Sequence, residues 1–255
     1  MDFEKINIRG VNFANVTMDE TMEIAKSLII DSEKTNISKA IYTPNAEITQ
    51  NCIDDKTGGL FDIINSADMI IPDGAGVVLA SKILKKPLKQ KVAGIDLAYN
   101  LIDYLNETSG TLFLLGSKPE IVEKAADNLF LKYKNLKVFY HHGYFDRNND
   151  EENQKVLDKI NDSKADAVYV CFGAPASEKW IFTNKSKVNK GLLIGLGGTI
   201  DNISGMANKR APKIFIKLNL EWFYRLMKNP TRIGRYMKLP KFVFGTFFSK
   251  KQKSS

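Results

Sequence analysis

Two cysteines and two histidines in 255 residues leave little from which to build a disulfide framework or a metal cage. Cys52 and Cys171 lie far apart and fit neither a bridge pattern nor a metal knuckle, which points to a reducing compartment. His141 and His142 are adjacent on an expected strand, where neighbouring side chains face opposite ways, so one shared site is not expected. No Asp-x-Asp occurs, so the usual acidic clamp for a metal–nucleotide complex is missing. A Walker loop, a Gly-x-Ser-x-Gly elbow and a Cys-x-x-Cys pair are also absent. No apolar run reaches the roughly 18 residues that cross a bilayer. The opening "MDFEKINIRG" carries acids and no apolar h-region, so a secretory signal is not expected.

Acid is the other scarcity, and it is local. From Met206 to Ser255 thirteen Lys and Arg face one acid, Glu221, for a net of +12. Residues 1–205 hold 24 bases against 28 acids, a net of −4, so the overall +8 hides two different surfaces. The basic segment is also aromatic, with Phe215, Trp222, Phe223, Tyr224, Tyr236, Phe242, Phe244, Phe247 and Phe248. Bases interleaved with aromatics read as a membrane-surface element or as a nucleic-acid contact. A merely solvated basic face would not explain the aromatics. The boundary near residue 205 divides the chain into an expected core, 1–205, and an expected basic, aromatic C-terminal appendage, 206–255.

Through residue 205, apolar runs alternate with helical patterns. "VTMDETMEIAKSLII" has a cap candidate in Thr17 and apolar residues at helical spacing. Strands are expected within "KAIYTPNAEI", "DMIIPDGAGVV" and "ADAVYVCFGAPASEKWI", each with its turn or loop, at the start of "GTLFLLGSKPEIVEKAADNLFLKY" ahead of a long helix, and at "LKVFYHHGYF" and "KGLLIGLGGTID", with helical stretches between. This spacing predicts an α/β fold: a Rossmann-like, mainly parallel sheet with helices on both faces. Ligands in such sheets sit beyond the carboxyl ends of the strands. The residues there are Thr43-Pro44-Asn45, Pro72-Asp73-Gly74, Gly116-Ser117, Gly173-Ala174-Pro175 and Gly197-Gly198-Thr199. "GLGGTIDNISG" is an imperfect dinucleotide string that leads into the basic segment and carries no cofactor assignment alone. "DRNND" starts like a calcium loop, but Glu151 stands where Gly is needed, so it reads as a loop.

Asp73, at a strand end and ahead of Gly74 and Gly76, is either a turn-forming Asp or a displayed carboxylate. The strings "YTPNAEI", "IPDGAGVV", "KVAGIDL", "FLLGSKPEIVEKAADNL", "GYF", "GAPASEKWI", "GLGGTIDNISGMANKRAPKIF" and "LEWFYRLMKNPTRIGRY" decide how to weigh it. In order and spacing the chain resembles the WecG/TagA/CpsF glycosyltransferases (glycosyltransferase family 26) from about residue 6 to 240. The resemblance implies inverting, metal-independent transfer of a sugar from a UDP-sugar to a sugar hydroxyl on a lipid diphosphate. In the best-known members the donor is UDP-N-acetylmannosamine, or its uronic acid. The acceptor is undecaprenyl-diphosphate-linked N-acetylglucosamine, and the product feeds wall teichoic acid or a related surface polymer.

On this reading Asp73 is the general base that takes the acceptor's proton. Gly74 and Gly76 would let substrate approach. Thr43 and Asn45 would face the pocket, Gly94 and Asp96 would contact sugar hydroxyls, and Gly116 and Asp201 would lie at glycine turns along the donor. Lys91, Ser177 and Glu178 complete the expected substrate contacts. The family usually has Arg at the first of these and Gln at the second, which leaves room for a different hexose such as glucose or galactose. Without a metal, the departing diphosphate needs helix starts and cationic side chains. Arg210, Arg225 and Arg232 are the expected cations, by bidentate donation. Phe215, Leu218, Trp222 and Leu226 fall on one helical stripe that either packs on the core or meets lipid. The expected partners are a UDP-sugar, a polyprenyl-diphosphate-linked acceptor and the inner face of the cytoplasmic membrane, with no nucleic acid, no cofactor and no metal. A homo-oligomer is left open. The rival class, a basic nucleic-acid-binding module, leaves Asp73 and the acidic core unexplained.

Overall fold

The computed structural model describes residues 3–57, 59–206, 212, 215, 224, 227, 234 and 237–252. Its first element is one the sequence reading passed over. An antiparallel hairpin, β1 (Lys5–Ile8) and β2 (Val11–Ala14), turns at Arg9-Gly10, where both residues have positive φ. The hairpin's apolar residues Ile6, Ile8, Val11 and Phe13 join the core.

The main sheet has six strands, all neighbours parallel. In chain order they are β3 (Lys39–Tyr42), β4 (Met69–Ile70), β5 (Thr111–Gly116), β6 (Lys137–His141), β7 (Ala167–Cys171) and β8 (Leu192–Gly195). Across the sheet they run β4-β3-β8-β7-β5-β6. The central strands β5, β7 and β8 are buried along their whole length, which is why they appear in sequence as continuous apolar runs rather than alternating ones. The edge strand β6 is largely exposed.

Helices cover both faces. One layer holds α1 (Met18–Thr35), α5 (Gly94–Glu107), α6 (Pro119–Lys132) and α9 (Thr199–Ser204), packed around Leu101, Leu114, Tyr169 and Ile194. The other holds α2 (Ala46–Asp54), α3 (Gly59–Asn65), α4 (Ala75–Ile83), α7 (Asp150–Ser163) and α8 (Ala176–Asn184), packed around Tyr42, Phe113, Val168 and Leu193. Adjacent residues of one strand divide between the two layers: Ile41 belongs to the first and Tyr42 to the second, as a two-residue side-chain period requires.

Local chemistry explains the starts of these helices. Thr17 and Glu20 form a reciprocal capping box at α1, as expected from the sequence. Asn149, from the "DRNND" loop, caps α7 by accepting from the Glu151 and Glu152 amides.

The last described element, α10 (Lys238–Gln252), lies against α2 and α4. Phe242 is fully buried there and Thr246 is buried beside it. Lys241 pairs with Asp54 at 2.7 Å, and Lys238 donates to Asn51. Exposed ion pairs of this kind contribute little, so the buried phenyl ring is the stronger tether. Gly76 in α4 has no room for a side chain, because Leu239 of α10 and Ala46 fill the space its Cβ would need. The bare backbone at Gly76 therefore admits α10. That corrects the expectation that it clears a path for substrate.

Candidate active site

The strands end in two neighbourhoods along one edge of the sheet. At the first, β3 and β4 release Thr43-Pro44-Asn45 and Pro72-Asp73-Gly74 side by side. Asn45 is the N-cap of α2, with extended backbone, and its Oδ1 accepts the Ile48 amide at 3.0 Å. What Asn45 can offer a ligand is its amide N–H groups. Gly74 caps α4 at φ +87, a conformation costly for other residues, and a Cβ there would stand 3.6 Å from that of Asn45. Asp73 is held in a tight turn, its amide donating to Ile71 O at 3.0 Å. It is half-buried rather than enclosed in the interior.

Lys91 and Gly94 arrive by a second connection. The Val92 amide donates to Pro72 O at 3.0 Å, which ties the Lys91 segment alongside the Asp73 turn. Gly94 opens α5 and is buried; a Cβ there would be 3.0 Å from Thr43. Its bare backbone allows close packing on Thr43, so the expected sugar contact is not its visible role. Asp96 follows in the first turn of α5. Thr43 is itself buried, and its Oγ1 donates to Gly195 O, at the end of β8, at 2.9 Å. The structure thus brings Thr43, Asn45, Asp73, Gly74, Lys91, Gly94 and Asp96 into one region.

The second neighbourhood is a cleft of about 650 Å³ beyond β5, β6 and β7. Ser117, Tyr144, Asp146, Arg147, Glu152 and Phe172 supply its chemistry. The Arg147 guanidinium lies 4.7 Å from the centre of the Phe172 ring. Glu152 Oε2 accepts the Asp146 amide at 2.7 Å. Ser117, at φ +59, donates to Asp201 Oδ1 at 3.1 Å, so Asp201 does reach this edge. Gly116 serves the sheet instead: a Cβ there would lie 2.5 Å from Cys171 O, so the expected ligand contact passes to Ser117. At about 4.8 Å per strand, the Asp73 turn after β4 and Ser117 after β5 are four steps, about 19 Å, apart. Between them, at Gly173 and Gly197, the position of a Cβ meets nothing within 4 Å. The edge between the two neighbourhoods is open at both glycines.

Two expected substrate contacts are corrected. Ser177 is buried, and its Oγ accepts the Phe172 amide at 3.0 Å, shaping the loop after β7. Glu178 is 2 % exposed, inside the helical layer, not in the cleft. Burial pushes its carboxyl above the usual range. Trp180, two residues on, is a core residue whose Nε1 donates to Asn153 at 2.7 Å. His141 and His142 depart from the expectation too: β6 stops at His141, alternation ends with it, and the two rings stand 4.5 Å apart. Arg210, Arg225 and Arg232, and most of the Trp222 stripe, lie outside the described residues. The cleft residues went unpredicted as a group because Arg147, Asp146 and Glu152 sit in a polar loop and at a helix start. The signal that could have found them was Gly143-Tyr144-Phe145.

The profile of the glycosyl transferase WecG/TagA/CpsF family matches residues 6–255. The chain belongs to this family. Among its relatives is the N-acetylglucosaminyldiphosphoundecaprenol N-acetyl-beta-D-mannosaminyltransferase of Staphylococcus aureus strain MW2, 36% identical over 240 residues, which are 94% of this chain and 91% of that one. The proteins of the same description from strains COL and MRSA252 are 36% and 35% identical over the same shares. The chain is therefore a glycosyltransferase. No helix among the described residues is long and apolar enough to cross a membrane.

Proposed function

We propose that this glycosyltransferase moves N-acetylmannosamine from UDP to the N-acetylglucosamine of an undecaprenyl diphosphate, with inversion and without a metal. The relatives' shared description supports the sugar and the acceptor. The observation that carries the mechanism is the placement of Asp73: half-buried, in a tight turn beyond β4, against two helix starts. An acceptor hydroxyl oxygen attacks the anomeric carbon from the face opposite the leaving group. The C–O bond to the diphosphate breaks, UDP leaves with the electron pair, and the hydroxyl proton passes to the Asp73 carboxylate. The helix starts at Asn45 and Gly74 present backbone N–H groups beside Asp73, where they can hold sugar oxygens of the substrates. Lys91 adds a cation near the same turn.

The cleft beyond β5–β7 suits the nucleoside end of the donor. Tyr144 and Phe172 give apolar faces for a base, and Asp146, Glu152 and the Ser117–Asp201 pair give acceptors for ribose hydroxyls. The acceptor's lipid calls for contact with the inner face of the membrane. The outward side of α10 supports this, with Phe244, Phe247 and Phe248 exposed and Lys250, Lys251 and Lys253 following in sequence.

The test is direct. Incubated with a panel of UDP-sugars and a lipid-diphosphate N-acetylglucosamine analogue in the presence of a chelator, the protein should form a disaccharide from UDP-N-acetylmannosamine. Product only from another UDP-hexose would move the donor assignment. Product only after divalent metal is restored would remove metal independence.

A further inference from the structure

One buried acid has no part in that mechanism. Glu178 sits in the first turn of α8, and its Oε2 has no hydrogen-bond partner and no access to water. Such a group costs stability that an apolar side chain of similar volume would not. Its neighbours show what it touches. A Cβ on Gly195, the last residue of β8, would stand 3.5 Å from Glu178 Oε1 and 3.4 Å from the Tyr42 ring. Glu178 and Tyr42 therefore bound the space beside the bare backbone of Gly195, where a side chain would just fit. The Tyr42 hydroxyl donates to the Glu178 carbonyl oxygen at 3.2 Å, fixing helix to strand. The Gly195 carbonyl in turn accepts Thr43 Oγ1, and Thr43 packs on Gly94.

We infer that Glu178 is a positioning residue: wedged under the glycine end of β8, it sets the height of Gly195 and through it of Thr43. This rests on the reading that transfer occurs at the Thr43–Asp73 region. The groups facing Glu178 offer it no counter-charge. Tyr42 approaches from β3 and Cys52 from α2, both neutral with pKa values raised by burial. From β8 the neighbour is Gly195. On the elements packed against α8, Asp62 of α3 is exposed and Lys185 is paired with Asp68 at 2.6 Å. Lys179, next in the chain, points to solvent. Burial favours the neutral acid at this position, and a charge there would have to find water or a partner by moving. Ionisation of Glu178 as pH rises would therefore disturb the strand end it packs against.

Glu178→Gln keeps shape and neutrality, and Glu178→Ala removes the wedge. Turnover and donor KM are measured for both, with thermal stability from the ordinary carboxyl range upward in pH. The unfolded chain releases the Glu178 proton in the ordinary carboxyl range, while the folded chain holds it to higher pH. Wild-type stability therefore falls as pH rises through that window, and the Gln variant lacks the fall. We expect Gln to keep turnover and to gain stability relative to wild type as pH rises. Its turnover should also lack any decline that ionising Glu178 imposes on the wild type as pH rises. Ala should lose about tenfold or more in kcat, with a smaller change in KM, as expected for misplaced groups. A folded Gln variant as impaired as Ala would overturn the inference, as would identical pH profiles for Gln and wild type. If Ala does not fold, the Gln comparison still decides. Wild-type turnover in Ala with turnover lost in Asp73→Asn would sink this inference alone. Wild-type turnover in both would sink the location of the site.

Discussion

Hydroxyls and amides near the site divide into those spent on the fold and those left for chemistry. Ser177 belongs to the first group, since its Oγ satisfies the Phe172 amide. Ser177→Ala should lower stability by about 1–3 kcal/mol, the cost of an unmet backbone donor, while leaving the donor KM unchanged. Urea denaturation with a KM measurement checks this, and a raised KM at unchanged stability would return Ser177 to the substrate. Thr43 belongs to both groups. Its hydroxyl bridges β3 and β8, so Thr43→Val, which leaves the Gly195 carbonyl without that donor, should lower turnover about tenfold or more and stability by about 1–3 kcal/mol, read by steady-state kinetics and urea denaturation. Residues of this kind set the limit of sequence reading here. The Thr-Pro-Asn, Pro-Asp-Gly and Gly-x-Asp strings lie near one another in the fold. They could not reveal that Gly94 yields its space to Thr43, or that Glu178 points inward. A short string gives chemistry and order but not which face of a helix its middle residue occupies.

At the scale of elements the sequence was more informative. Alternating apolar runs and amphipathic stretches predicted the parallel sheet, and the fully apolar "TLFLLG", "AVYVC" and "LLIG" became the buried central strands. The β1–β2 hairpin was missed because its four-residue strands carry only a weak alternation beside an Arg-Gly turn. The docking of α10 was also illegible: its helix reads as basic and aromatic all round, and its contacts with α2 and α4 distinguish the inward side. Phe242 and Leu239 face α2 and α4, while Phe244, Phe247 and Phe248 face outward. Phe242→Ala should weaken the seat of α10 by about 3–5 kcal/mol. The readout is protease cleavage near residue 237, faster in the variant. Gly76→Val should have the same effect by pushing Leu239 away, and unchanged cleavage in both would mean that α10 is held elsewhere.

The whole molecule pairs an acidic body with a basic, aromatic end, and α10 joins them: one side belongs to the core and the other is exposed. Replacing Phe244, Phe247 and Phe248 together by Ser should cut binding to anionic liposomes at least about tenfold, each exposed ring carrying the equivalent of 1.5–3 kcal/mol when buried. Thermal stability should stay unchanged, because none of the three is in the core. Undiminished liposome binding would place the lipid contact elsewhere. At this scale strand ends and two helix starts meet along one edge of the sheet, and Asp73 sits among them. The most direct measurement is the turnover of Asp73→Asn beside its affinity for UDP, with the lipid-linked N-acetylglucosamine acceptor present. The account predicts a fall of about a hundredfold or more in turnover with UDP affinity preserved, as expected when a general base is removed. Wild-type turnover in that variant would contradict it.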